Sequence, residues 1–421
     1  MNVVTRFAPS PTGKGLHIGG LRTALYNYLW AMKNKGQFLI RVDDTDEKRS
    51  NEESLADIID SLSWCGIKPS KKINYFQSKK KESYRFYANA LVNMNKAYVE
   101  NGCVKLSVKK LIENEIYDSC FDIIDGVLGP VRFNKNQIED FVILKQDGNA
   151  TYNFATVLDD KFMNVNYVMR GQEHLINTVK QKILHVCLKM EPPNYIHMPV
   201  ILNQDGSKMS KRQESDMINV SDFRKAGYLP EAIVHFVSLL GWTPKNNKPL
   251  LKLSDMVEQF DFRKIRKTNP RFDIKQLGKI NKRWMSNETV ISIKYKIKKT
   301  LGEINHDKID IIYPHVINKC KTINDFIENY KSVNINQKPV IKDESSRKEL
   351  SNLGQLLATI DMWDRENIIE VIKSYSELSN RSMFDIANNI RKNLTHTKYI
   401  PPIDVFLCAL GRQQSLNLLK V

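Results

Sequence analysis

Six cysteines are spread over 421 residues, at positions 65, 103, 120, 187, 320 and 408, and no two form a C-x-x-C pair. A zinc ribbon needs four closely spaced ligands and a disulfide framework needs patterned pairs, so neither is expected. Buried, reduced thiols are expected instead. No apolar run approaches the roughly 20 residues that span a bilayer, and no internal repeat or long low-complexity tract is present. The opening MNVVTRF enters a strand-like run at once, which gives the expectation of no signal or transit peptide and of a cytoplasmic protein without membrane partners.

What is present is ordinary globular material. A hydrophobic content of 42% and a charged content of 26% suit a soluble chain long enough for two to four domains. The net charge is +17 and it is unevenly placed. Residues 1–210 hold 28 Lys/Arg against 23 Asp/Glu, while the remainder holds 36 against 24. An excess of positive charge in the second half fits a polyanion such as RNA, drawn in by steering and counterion release.

Residues 3–7 read as a short buried strand, followed by a Pro- and Gly-rich loop from Ala8 to Gly15. Leu21, Leu25, Tyr28, Leu29 and Met32 recur at helical spacing, Gly36 ends that helix, and 37–42 is the next strand. Such a βαβ unit implies a parallel sheet whose ligands sit beyond the carboxyl ends of the strands. A second βα alternation is read at 141–190, from Phe141–Leu144 through Val165–Met169 to a helix over 175–188. Beyond about 215 the texture becomes helix-rich.

Two segments carry chemistry. The first, from Ala8 to Gly20, ends in HIGG (17–20) and lies between a strand and a helix. Helix N-termini favour phosphate through free N–H groups and the dipole. Gly19 and Gly20 let a nucleotide approach the backbone, and His17 can donate to a phosphate oxygen. The second is KMSKR (208–212), after the turn-forming Asn203-Gln204-Asp205-Gly206-Ser207. Its cations suit a movable clamp on a triphosphate.

In this order the two segments resemble the HIGH and KMSKS signatures of class I aminoacyl-tRNA synthetases. APSPTG (8–13), RVDDTD (41–46), TYNFATVLDD (151–160) and RGQEHLINT (170–178) narrow the resemblance to bacterial-type glutamyl-tRNA synthetases. It covers 1–99 and 140–285 well and is weaker over 300–421. The fold it implies is α/β, a Rossmann-type parallel-sheet catalytic domain followed by an all-α C-terminal region. The implied domains are 1–99 with 140–215 (catalytic), 100–139 (shortened acceptor-binding insertion), 216–300 (stem contact) and 301–421 (helical, anticodon-binding).

The resemblance also implies the site. Arg6, Ala8, Ser10, Asp43, Tyr152 and Arg170 match glutamate-binding positions. His17, Gly19, Gly20, Glu173, Lys208, Met209 and Lys211 match ATP-binding ones, with His17, Lys208 and Lys211 as the catalytic set. ATP with Mg²⁺ is expected as a substrate complex, with no protein-held metal and no structural zinc. L-glutamate, tRNA(Glu) and, as a second candidate, tRNA(Gln) are the expected partners of a monomer. His174 and His197 are read as structural.

The sequence departs from that pattern in three places. Asp43 stands where glutamyl enzymes usually carry glutamate. Lys14-Gly15-Leu16 adds one residue to the loop before His17. Only about 40 residues fill the insertion, where Cys103 and Cys120 cannot make a four-ligand site. A glutamyl-queuosine tRNA(Asp) synthetase is one alternative, although it normally lacks the helical C-terminal part. A glutaminyl enzyme and a catalytically silent tRNA-binding paralogue are the others. Intact His17, Lys208 and Lys211 argue against the silent paralogue.

Overall fold

The computed structural model describes residues 2–13, 15–46, 49–113, 115–208, 217–246, 248–335, 343–395 and 400–419. The chain divides into two compact units, one of Met1–Lys225 with Pro230–Leu277 and one of Ala226–Leu229 with Gly278–Val421. No described helix is long and apolar enough to cross a membrane.

The first unit opens with β1 (Val4–Phe7), α1 (Ile18–Lys33) and β2 (Gln37–Ile40). Here the apolar spacing becomes geometry: Leu21, Leu25 and Leu29 are buried, and β1 lies parallel to β2 with Arg6 opposite Leu39. Then follow α2 (Glu52–Trp64), α3 (Lys81–Asn93), β3 (Ala97–Glu100) and β4 (Cys103–Leu106). Asn101 and Gly102 both have positive φ, 49° and 75°, the conformation that a two-residue Asn-Gly hairpin turn demands.

Beyond α4 (Val108–Ile112) come β5 (Asp122–Asp125), β6 (Gly129–Arg132) and β7 (Phe141–Leu144). The sequence reading placed 141–144 within the second βα alternation. The strand forms, yet it pairs antiparallel with β4, giving a separate sheet in the order β3-β4-β7. The Asn-Gly hairpin leaves an open edge on β4, and a four-residue apolar run carries no mark of which sheet it joins. This sheet shares a core with α3 and the next two helices: Leu91, Leu106, Ile143, Phe154 and Ile183 belong to one buried cluster.

Next are α5 (Tyr152–Phe162), β8 (Tyr167–Gly171), α6 (Leu175–Cys187) and β9 (Asn194–Met198). The main sheet has the order β2-β1-β8-β9, and its pairs are parallel. From β1 the chain crosses outward to β2, whereas from β8 it crosses outward to β9. Strand order therefore reverses between β1 and β8, and ligands of open α/β sheets bind at such a crevice. The unit continues with α7 (Val220–Lys225), α8 (Pro230–Ser238) and α9 (Leu253–Gln259). Pro230 sits at the first helical position, where its missing N–H costs nothing.

A further helix, α10 (Ile274–Ser286), carries the chain from one unit into the other. The second unit is helical: α11 (Val290–Leu301), α12 (His306–Val316), α13 (Ile323–Ser332), α14 (Glu344–Leu357), α15 (Arg365–Ser379), α16 (Met383–Leu394), α17 (Ile403–Leu410) and α18 (Arg412–Leu419). Thr289, Asn305, Thr322, Asp343, Asp364 and Ser382 each cap a helix by accepting a backbone N–H, worth about 1 kcal/mol apiece. The nearly all-apolar α17 is buried and packs against α12, α15 and α18. Its Asp404 is held by Arg365 at 2.8 and 2.6 Å.

Candidate active site

A cleft of about 580 Å³ opens at the carboxyl ends of β1 and β8, the size of a small-molecule site. Arg6, Ala8, Ser10, Asp43, Tyr152 and Arg170 line it, and so do His17, Gly19, Gly20, Glu173 and Lys208. Met209 and Lys211 lie outside the described residues.

The loop leaving β1 is fixed by its neighbours. Arg41 N donates to Phe7 O and Asp43 N to Pro9 O, each at 3.0 Å, so 41–43 runs beside 7–9 and brings Asp43 to the loop. Within that loop Gly15 has a φ of +105°. A Cβ there would come within 2.0 Å of Asp57 Oδ2, and that same oxygen accepts Leu16 N at 3.1 Å.

His17 is the N-cap of α1, and its Nδ1 accepts from Gly19 N at 3.1 Å and Gly20 N at 3.3 Å. Two of the N–H groups at the helix start, where the sequence led us to expect phosphate, are thus taken by the imidazole. An accepting Nδ1 leaves the ring proton on Nε2. The backbone around His17 is also tied to the chain beyond KMSKR. Ile18 N donates to Ile218 O at 3.0 Å and Val220 N to Leu16 O at 2.8 Å. On the other side of that segment, Lys208 is bridged to Leu202 across a turn closed by Asn203 N to Ser207 O at 2.8 Å.

Charge is organised by a buried chain that sequence reasoning missed. Asp160 accepts Arg6 Nε at 3.2 Å and Arg41 Nη1 at 2.5 Å. Arg41 in turn grips Asp43 through Nε at 2.7 Å and Nη2 at 3.4 Å. Signs alternate along Arg6, Asp160, Arg41 and Asp43, and Arg41 has no exposed surface. Burial pushes the Asp160 carboxyl up, but Arg6 and Arg41 outweigh it and hold the group below its ordinary value. Asp159 accepts Tyr75, Tyr84 and Gln77 at 2.7–2.9 Å; burial outweighs these and pushes it up to about 6. Both acids stand near the C-terminus of α5, where the helix dipole disfavours anions. The arginines are what make that placement tolerable.

At the other wall, Tyr152 begins α5, and its hydroxyl lies 3.4 Å from His174 Nδ1. Burial, with the charge of Arg170, pushes His174 down to about 4, so its ring is neutral near pH 7. His174 also lines the cleft, as does the buried Arg22, whose Nη2 donates to Pro199 O at 2.5 Å. A charge on the buried face of a helix, as Arg22 is between Ile18 and Leu25, was the available signal.

The arrangement has two poles in one cleft: cations at Arg6 and Arg170, and an acceptor at Asp43. Beside them lies a helix N-terminus capped by an imidazole. This can seat a zwitterion with an extra carboxylate next to a phosphate-bearing partner, which meets the helix dipole and the imidazole rather than free N–H groups, since those of residues 18–21 already have acceptors.

The family description "tRNA synthetases class I (E and Q), catalytic domain" matches residues 2–111 and 111–279, and "Anticodon binding domain" matches 284–420. Glutamate–tRNA ligase 2 of Neorickettsia sennetsu is 32% identical over 427 residues, covering 100% of this chain and 99% of that protein. Glutamate–tRNA ligase 2 of Anaplasma phagocytophilum is 30% identical, covering 99% of this chain and 98% of that one. Among solved structures, a glutamate tRNA ligase from Elizabethkingia meningosepticum in complex with its amino acid superposes with a TM-score of 0.82. It shares 25% identity and covers 100% of this chain and 98% of that one.

Proposed function

We propose that this chain, which belongs to the class I tRNA synthetases for glutamate and glutamine, activates L-glutamate with ATP and esterifies it to tRNA(Glu). One observation carries the amino-acid reading: Arg6 and Arg170 share a cleft with Asp43, and a buried ion chain fixes Arg6 and Asp43 at opposite ends. The arginines take the carboxylates of glutamate and Asp43 takes its ammonium. Burial pushes the Asp43 carboxyl up against the pull of Arg41, and an arriving ammonium reverses that push.

ATP, carried with Mg²⁺ as a substrate complex, lies along the N-terminus of α1, near Gly19, Gly20 and Glu173. The α-carboxylate of glutamate attacks the α-phosphorus, and pyrophosphate leaves with its charge met by His17, Lys208, Lys211 and the neighbouring Met209 backbone. The terminal ribose 2′-hydroxyl of tRNA then attacks the adenylate carbonyl, and AMP leaves. No side chain acts as a covalent nucleophile, so catalysis is positioning and charge stabilisation. The matched anticodon-binding segment, 284–420, supports tRNA as the acceptor.

ATP–pyrophosphate exchange with glutamate, run with tRNA present, tests the activation step. Its absence with all three substrates supplied would sink the reading. Charging of separate tRNA(Glu) and tRNA(Gln) transcripts settles whether the second is also a substrate.

A further inference from the structure

Arg170 is held in a way the activation chemistry alone does not require. Its Nε donates to His197 Nε2 at 3.2 Å and its Nη2 to Thr178 Oγ1 at 2.7 Å. The guanidinium also lies 5.3 Å from the centre of the Tyr195 ring. Its Nη1 is buried and has no hydrogen-bond partner. The Thr178 hydroxyl, having accepted from Arg170, lies 3.0 Å from His197 Nε2. On its far side His197 presents Nδ1 to Asp125 Oδ2 at 2.7 Å, and its backbone N donates to the same oxygen at 2.9 Å.

Only one protonation state satisfies all of these contacts. The Arg170 N–H is aimed at Nε2, so that nitrogen accepts, whereas the Thr178 hydroxyl also has the His174 carbonyl oxygen at 3.4 Å; Nδ1 faces a carboxylate, so it carries the proton. An imidazolium would set Nε2–H against Arg170 Nε–H. The histidine has no exposed surface, and burial keeps its ring neutral by pushing its pKa down. Asp125 comes from the β5–β6 hairpin, inside the segment inserted between the halves of the parallel fold. Its Oδ1 accepts Val127 N and Leu128 N at 2.9 and 2.8 Å, shaping that turn. Gly126 N donates to Tyr195 O at 2.9 Å and docks the hairpin on β9.

We propose that Asp125 and His197 are positioning residues for the amino-acid site: Asp125 fixes the His197 tautomer, and His197 Nε2 fixes the guanidinium of Arg170. The inserted hairpin thereby supports the substrate pocket from beside β9, the edge strand of the parallel sheet. The proposal rests on reading Arg170 as a carboxylate ligand of glutamate.

Asp125→Asn offers one carbonyl oxygen where two carboxylate oxygens served. With that oxygen kept in the turn, the amide N–H₂ faces both the backbone N–H and Nδ1 of His197, and it drives the ring proton to Nε2, against Arg170. A lost hydrogen bond to a charged group corresponds to about 10- to 100-fold, expected as a rise in KM for glutamate with KM for ATP within about twofold. His197→Gln supplies an acceptor to Arg170 without needing Asp125, so it recovers most activity, and adding Asp125→Asn to it has little further effect. Equal changes in both KM values, or full additivity of the two substitutions, overturns the relay. Imidazole ¹⁵N spectra of the full chain check the tautomer without substrate: a neutral ring protonated on Nδ1 supports the relay, and a proton on Nε2 overturns it. If the spectra give Nδ1–H while wild-type protein fails to exchange glutamate, the relay stands and the glutamate reading falls.

Discussion

Replacing His17 by asparagine separates two tasks that a single imidazole performs. Through Nδ1 it caps α1, taking the N–H groups of Gly19 and Gly20; through Nε2–H it donates toward phosphate in the proposed reaction. Alanine removes both, and the lost cap costs about 1 kcal/mol, roughly 2 °C in melting temperature for a unit of this size. Asparagine is among the best N-caps, so His17→Asn keeps the helix start to within a few tenths of a kcal/mol. Neither substitute reaches the phosphate. Loss of one preorganised donor in the transition state costs about 10²–10³ in kcat. The expected pattern is two variants with equally poor exchange, only one of them less stable. Paired thermal melts and ATP–pyrophosphate exchange in the presence of tRNA read it out. Near-normal exchange by His17→Asn would refute the phosphate role, and a melting loss as large as that of His17→Ala would refute the cap.

Asp160→Asn leaves Arg6 and Arg41 sharing a neutral amide in a buried site. A loss of about 3–5 kcal/mol is expected, together with a raised KM for glutamate, and urea unfolding beside exchange kinetics checks both. His185 is buried on α6, and burial pushes it down to about 4 despite the attraction of Asp160. Between about pH 6.5 and 4 the unfolded chain binds a proton that the folded chain refuses, so stability falls as the pH drops through that window, by up to about 3 kcal/mol. His185→Leu should flatten this fall in urea titrations at pH 7, 5.5 and 4.5; an unchanged slope counts against the assignment. At Gly36 an added Cβ would stand 2.0 Å from the Val3 carbonyl oxygen, a backbone atom that cannot swing aside. Gly36→Ala is expected to cost about 1–3 kcal/mol, whereas an unchanged melting temperature would mean that β1 and the end of α1 shift freely.

The helices and the first βαβ unit were legible because their information is periodic and local. Leu21, Leu25 and Leu29 announce a buried face, and Gly36 announces its end. The residues at strand ends came from the family resemblance, and the geometry of a parallel sheet accounts for their meeting at one edge. The partners that hold them were not legible. Asp159 and Asp160 close a helix and look like a solvated end until Arg41, more than a hundred residues earlier, is brought beside them. Asp125 sits in a stretch read only as a shortened insertion, and His197 in a strand where a buried histidine reads as structural. Such contacts lie between elements, and no period records them. The strand 141–144 failed for a related reason: its pattern says buried strand, while its sheet is chosen by the edge left open at β4.

The buried ion chain is best understood through what it costs. Taking charged groups out of water is expensive, and apolar replacements of matched size often leave a protein equally stable or more so. Arg41, Asp159 and Asp160 therefore have no strong claim as stabilisers of the sheet. They do fix direction. Arg6 lies in β1 and Asp43 just beyond β2, close enough for the charge of Arg6 to act on the Asp43 carboxyl. Asp160 holds Arg6 and Arg41 holds Asp43, so each has a fixed partner inside the fold, and in the proposed reading both face the zwitterion from one cleft wall. On the proposed reading the pocket's preference for a zwitterion rests as much on residues that never touch the ligand as on those that do, and the proposed hold of His197 on Arg170 follows the same logic, with a neutral histidine in the place that Asp160 has beside Arg6.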